Sequence, residues 1–137
     1  MTKDGGMRTR GCLDGDSYYI AAPDGIRKLD LESGTMELVK TMDLLRCGRA
    51  ELKKTALPGG PEWAAVFSMA ETADEYGYPQ EWRTVILGFD EKFEPVGTLE
   101  LPLYASGVEW GITSVMISDG GDEFRSVLAD LKTMTGQ

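Results

Sequence analysis

EFRSVLADLKTM, residues 123–134, reads in two ways, and the choice separates an all-β protein from an α+β one. Phe124, Val127, Leu128, Leu131 and Met134 fall at i, i+3, i+4, i+7 and i+10, the apolar stripe of a helix, with Asp122 in front as an N-cap. The same stretch also closes a pattern of strand, aspartate, turn and strand. That pattern occurs as RKLDLESGTMEL (27–38), ILGFDEKFEPVGTL (86–99) and VLADLKTMTGQ (127–137). Its aspartates, Asp30, Asp90 and Asp130, are 60 and 40 residues apart. Setting aside the thirteen residues 70–82 brings the first spacing to 47, near the ~40–45 of a repeating four-stranded unit.

Working outward, the β signals dominate. SYYIAAP (17–23) and IRKLDL (26–31) flank Asp24-Gly25, residues that cheaply adopt the positive φ angles of a tight hairpin turn. Glu32-Ser33-Gly34 makes a second turn, and TMELVK (35–40) alternates as a third strand. WAAVFSM (63–69), RTVILGFD (83–90), EPVGTLELP (94–102) and WGITSVMIS (110–118) read as further strands, the last stopped by the turn Asp119-Gly120-Gly121-Asp122. MDLLRCGRAELKKTAL (42–57) fits a helix or an extended segment equally, because Gly48 costs a helix about 1 kcal/mol relative to alanine. Pro58-Gly59-Gly60-Pro61 ends it. The expected architecture is a single domain over 1–137, with a first meander and connector at 14–57 and a second meander with the C-terminal segment at 58–137. The alternative is α+β: an antiparallel sheet with helices at 42–54 and 122–134.

Composition narrows the chemistry. The 137 residues, 42% hydrophobic and 27% charged, suit one globular domain. There is no histidine, which removes Ser-His and Cys-His nucleophiles and histidine-ligated metals. The net charge of −9 is opposite to what a phosphate backbone attracts, so no nucleic-acid partner is expected. Residues 1–70 hold ten basic and ten acidic side chains while 71–137 hold four and thirteen, so the whole excess lies in the second half. No run of ~18 apolar residues and no leader-like apolar segment occurs, and the expectation is a cytoplasmic protein without a membrane partner. Cys12 and Cys47 lack the companions of a thiolate metal site, and read as two free thiols or one disulfide.

Few residues carry candidate chemistry. Asp74 with Glu75, and Asp119 with Asp122, are the tight carboxylate pairs an acid–base mechanism would need. DGDS (14–17) and SDGGDE (118–123) are oxygen-rich, but neither has the spacing of a calcium loop, and no metal or cofactor is expected. The distinctive stretch is AETADEYGYPQEW (70–82), longer than an ordinary hairpin loop. Its Glu71, Asp74, Glu75 and Glu81 offer charge complementarity to a basic protein, and Tyr76, Tyr78 and Trp82 offer large amphipathic surfaces. These seven residues form the expected partner-binding site.

YYIAAPDGIRKLDLESGTMELV (18–39) resembles a blade of the β-propeller repeat proteins, with strand, Asp-Gly, strand ending in Asp, turn and strand. VFSMAE, RTVILGFDEKFEPVGTLELP and ITSVMISDGG, within 66–120, are similar to blades of the amine-dehydrogenase heavy chain. The resemblance implies an antiparallel meander of propeller-like blades. It also implies a scaffold that docks a partner chain and contributes surface more than chemistry, with no catalytic residue to carry over. A ring needs at least four blades and this chain has material for two and a half to three, so the resemblance implies a partial propeller: a fragment of a ring, or a homo-oligomer whose blades complete one. The leading expectation is a non-enzymatic binding or scaffold protein with an acidic, aromatic surface. The alternatives are a small acidic inhibitor or immunity-like protein that neutralises a basic enzyme, and a carboxylate-based enzyme.

Overall fold

A computed structural model describes residues 7–55, 58, 60–119 and 125–133. Twelve strands occur in chain order among them: β1 Arg8–Arg10, β2 Cys12–Asp14, β3 Ser17–Ala22, β4 Gly25–Asp30, β5 Met36–Thr41, β6 Cys47–Lys54, β7 Trp63–Ala73, β8 Pro79–Phe89, β9 Pro95–Leu101, β10 Gly107–Trp110, β11 Ser114–Asp119 and β12 Arg125–Asp130, followed by a 3-10 turn at Leu131–Thr133. The protein is nearly all β. The strands form three sheets, none closed: β2-β3-β4-β5, β1-β6-β7-β8-β9 and β10-β11-β12. All neighbours are antiparallel except β1, which lies parallel to β6. No helix of the described residues is long and apolar enough to cross a membrane.

The five-stranded sheet is central, and the two faces of β7 show why. Trp63, Ala65 and Phe67 join a core with Ala21 and Ile26 of the four-stranded sheet. Ala64 and Val66 point the other way, into a core with Val108, Val115, Ile117, Ala129 and Leu131 of the three-stranded sheet and its following turn. A strand covered on both faces needs no polar alternation, which explains the continuous apolar run at 63–67. Four aromatic rings pin the first interface: Tyr19 lies 4.5 Å from Trp63, and Phe93 stacks on Trp63 at 5.0 Å and meets Phe89 edge-on at 5.8 Å. In the second interface the buried hydroxyls form a directed relay. The Ala105 N–H donates to Ser68 Oγ (3.0 Å), Ser68 donates to Thr84 Oγ1 (2.7 Å), and Thr84 donates to the Leu103 carbonyl (2.8 Å).

The three aspartates of the repeated pattern occupy one place in all three sheets, at or just after the end of the third strand of an antiparallel meander. Asp30 Oδ1 accepts the N–H groups of Glu32 and Ser33, Asp90 Oδ1 those of Lys92 and Glu94, and Asp130 Oδ1 that of Lys132. Each carboxylate satisfies the backbone of the turn that follows it.

Four expectations are corrected. The C-terminal helix over 122–134 is not seen: β12 pairs with β11 from Ser114↔Asp130 to Asp119↔Arg125, and only one 3-10 turn follows. Ala129 and Leu131 are buried while Leu128 is 65% exposed, so the core is filled with period two and the helical spacing was incidental. Asp122, Phe124 and Met134 of that expected helix lie outside the described residues. The helix over 42–54 is likewise replaced by β6, whose Cys47, Ala50 and Leu52 face one core while Arg49 and Glu51 face the other side. WGITSVMIS is two strands rather than one, because the chain reverses at Gly111, whose N–H donates to the Ser114 carbonyl at 2.7 Å. At Asp24-Gly25 the positive φ belongs to Gly25 alone (141°). A Cβ there would lie 1.9 Å from the Lys40 carbonyl oxygen, so β5 passes too close for any side chain.

Candidate functional site

Residues 70–82 are not a long loop but the continuation of two strands. β7 and β8 keep one register from Trp63↔Phe89 to Ala73↔Pro79. The partner on one side ends at Cys47↔Met69, and the partner on the other at Thr84↔Leu101. Beyond those pairs the hairpin runs on as a two-stranded arm, residues 71–82, outside the ladders of the central sheet.

Its tip is built by Asp74. The Asp74 carboxylate accepts the N–H groups of Tyr76 and Tyr78, both at 2.9 Å. The Asp74 N–H donates to the Tyr78 carbonyl and the Gly77 N–H to the Asp74 carbonyl, with Gly77 at φ 86°. Asp74 is therefore committed to the turn. At the root, Glu71 is paired with Arg83, and its backbone carbonyl accepts Arg46 Nη1 at 3.0 Å. The hydrogen bond that Arg83 donates to Glu71 raises the Arg83 pKa further above its ordinary value. Arg83 Nη1 also approaches Glu100 at 3.5 Å. Trp82 is half-buried and meets Tyr104 edge-on, with centroids 4.7 Å apart.

The other four named side chains of the arm face solvent. Tyr76 is 67% exposed and Tyr78 48% exposed. Glu75 and Glu81 are exposed and make no ion pair among the described residues. Glu81 sits at φ 56°, uncommon for a residue with a side chain, between the pairs Ala70↔Trp82 and Thr72↔Gln80. The seven residues named from sequence thus lie on one hairpin with divided labour: Asp74, Glu71 and Trp82 hold its shape, and Glu75, Tyr76, Tyr78 and Glu81 face solvent. Sequence reading missed the anchors Arg46, Arg83 and Tyr104. Arg46 lies 25 residues from Glu71, with no local signal to link them.

The other candidates bring less together. Asp74 is tied into its turn beside Glu75, and Asp122 of the second carboxylate pair lies outside the described residues. DGDS is the β2–β3 hairpin, with Gly15 at φ 61° and Asp14 accepting Lys54 Nζ at 3.2 Å; residues 120–123 of the second string are outside the described residues. Among the described residues no group of three or more carboxylates or thiols is placed to hold a metal. Cys12 and Cys47 are free thiols, and burial pushes the Cys47 pKa up to about 11. Comparison with protein-family models, with curated proteins and with solved structures finds no match.

Proposed function

We propose that this chain is a non-enzymatic binding protein that presents the arm 71–82 to a basic protein partner. The observation that carries the reading is a pair of exposed tyrosines beside two carboxylates that make no ion pair among the described residues, on a hairpin anchored by Trp82–Tyr104 and Arg83–Glu71. Tyrosine supplies large contact area at low entropic cost and is enriched among residues that dominate binding energy. The carboxylates would steer a basic partner from a distance and make the encounter salt-sensitive. Anchoring the root lowers the ordering cost at the tip.

The test compares wild type with a variant carrying Glu75→Gln, Tyr76→Ser, Tyr78→Ser and Glu81→Gln. A partner retained from cell extract by wild type is purified and titrated against both at rising salt. The reading expects a basic partner whose affinity falls with salt and falls at least about a hundredfold in the variant, as for two lost hot-spot side chains. Equal affinity for both proteins would remove the arm from the interface.

We infer that the three sheets are successive propeller-like blades that form the scaffold for the arm. The shared position of Asp30, Asp90 and Asp130 supports this. So do the two outermost faces. Leu13, Tyr18, Leu29 and Met36 form a cross-strand row on one, and Met116 pairs with Leu128 on the other. At about 4.8 Å per strand and about 3.3 Å per residue the two faces span roughly 330 and 250 Å². Two copies that cover both faces on each other would each bury roughly 600 Å², the lower limit of a specific interface. Light scattering should then give twice the 15.0 kDa chain mass, reverting to the single mass in Leu29→Glu. A monomer at high concentration would refute pairing of copies.

A further inference from the structure

One cluster outside the arm runs against the charge of the whole protein. β1 lies parallel to β6 at the edge of the central sheet, in the register Arg8↔Arg49, Thr9↔Ala50 and Arg10↔Glu51. Residues paired across a ladder share a face, so Arg8, Arg10, Arg49 and Glu51 come together. With Thr9 they line a cavity of about 120 Å³. Three guanidiniums against one carboxylate make a positive pocket in a chain of net charge −9.

The inner half of this cluster is satisfied and rigid. Glu51, 2% exposed, accepts Arg49 Nε on Oε2 and Trp110 Nε1 on Oε1, both at 3.0 Å. Arg49 Nη1 also donates to the carbonyls of Ser106 at 2.8 Å and Ala105 at 3.3 Å. The outer half is not spent. Arg10 Nη1 stands 3.7 Å from Glu51 Oε1, beyond hydrogen-bond length, and its side chain is mostly exposed. Arg8 is exposed and makes no ion pair or side-chain hydrogen bond among the described residues. Two neighbouring guanidiniums repel each other unless an anion lies between them.

We infer that this cavity is a binding site for a phosphate group, held by the guanidiniums of Arg8 and Arg10 above a floor fixed by the Arg49–Glu51–Trp110 contacts. Planar guanidinium donors match the oxygens of a phosphate, and two of them can neutralise a dianion. The volume of about 120 Å³ equals that of about four waters of liquid, room for one phosphoryl group. The group could be free inorganic phosphate or the end of a small phosphomonoester.

Calorimetric titration at low salt with inorganic phosphate tests the site, using wild type and the double variant Arg8→Gln, Arg10→Gln, with Lys132→Gln as a control for general charge. Both arginines are exposed, and matched denaturation midpoints verify the fold of the variant. Wild type and the control should bind one phosphate per chain, and the double variant should lose about tenfold or more in affinity, since each bond to a charged group contributes substantially. Phenyl phosphate bound more tightly than inorganic phosphate would identify an esterified ligand, and the reverse order the free ion. No saturable binding by wild type, unchanged affinity in the double variant, or acetate bound as tightly as phosphate would each overturn the assignment.

Discussion

The strands β7 and β8 form one hairpin with two different halves. In the inner half, Ala64, Ala65, Val66, Phe67 and Ile86 are covered by sheets on both sides. In the outer half, residues 71–78 are exposed throughout, and among the described residues no third strand pairs with 71–82. The register passes from one half to the other without a shift. Coverage by neighbouring sheets, and not strand pairing, therefore decides which part of the hairpin is buried and which part is open to solvent.

The sharpest way to break this contrast is a cavity in the inner half. Phe67→Ala removes a fully buried ring and should cost about 3–5 kcal/mol in denaturant unfolding. A loss below about 1 kcal/mol would mean that the two-sided burial is wrong. A pH test follows on the same side of the sheet. Because Cys47 is protonated more tightly when folded, its pKa of about 11 against an ordinary 9.0 stabilises the fold. The unfolded thiol ionises first, so this contribution is complete below about pH 9 and is lost as the pH rises towards 11, by roughly 2–3 kcal/mol. Cys47→Ala should flatten that part of the stability profile, and a thiol reagent at pH 8 should modify Cys12 well before Cys47.

Thr84→Val probes the relay with a smaller effect. It keeps the shape but leaves Ser68 without its acceptor and the Leu103 carbonyl without its donor, at about 1–3 kcal/mol. Smallest is the arm itself: Tyr76→Ser with Tyr78→Ser should move the unfolding free energy by no more than about 0.5 kcal/mol. A larger loss would show that the tyrosines serve the fold.

The same contrast explains what the sequence disclosed. β3, β4, β5, β7 and β9 were legible because each combines β-favouring side chains with turn residues at its ends, as at Pro23-Asp24-Gly25 and Glu32-Ser33-Gly34. β6 was not, because both its faces are covered and Gly48 sits within it, leaving no period to count. The C-terminal stretch misled because Leu128 matches a helical stripe while pairing with β11 turns it to solvent. The arm's composition stood out, but its strand character was hidden by polar residues that no sheet covers. Sequence reading marked its seven residues as one group, and the folded arm divides them between turn, root and solvent. Which carboxylates were already used depended on Arg83 and on backbone N–H groups, contacts that arise only in the folded hairpin.

The most direct test separates the two halves physically. Residues 71–81 are replaced by Asn-Gly, which closes a two-residue turn between the paired Ala70 and Trp82. Binding of the purified partner to the shortened protein is then measured at matched denaturation midpoints. The account predicts a folded protein within about 1 kcal/mol of wild type that no longer binds the partner. A shortened protein that binds as tightly as wild type would contradict the assignment of recognition to the arm.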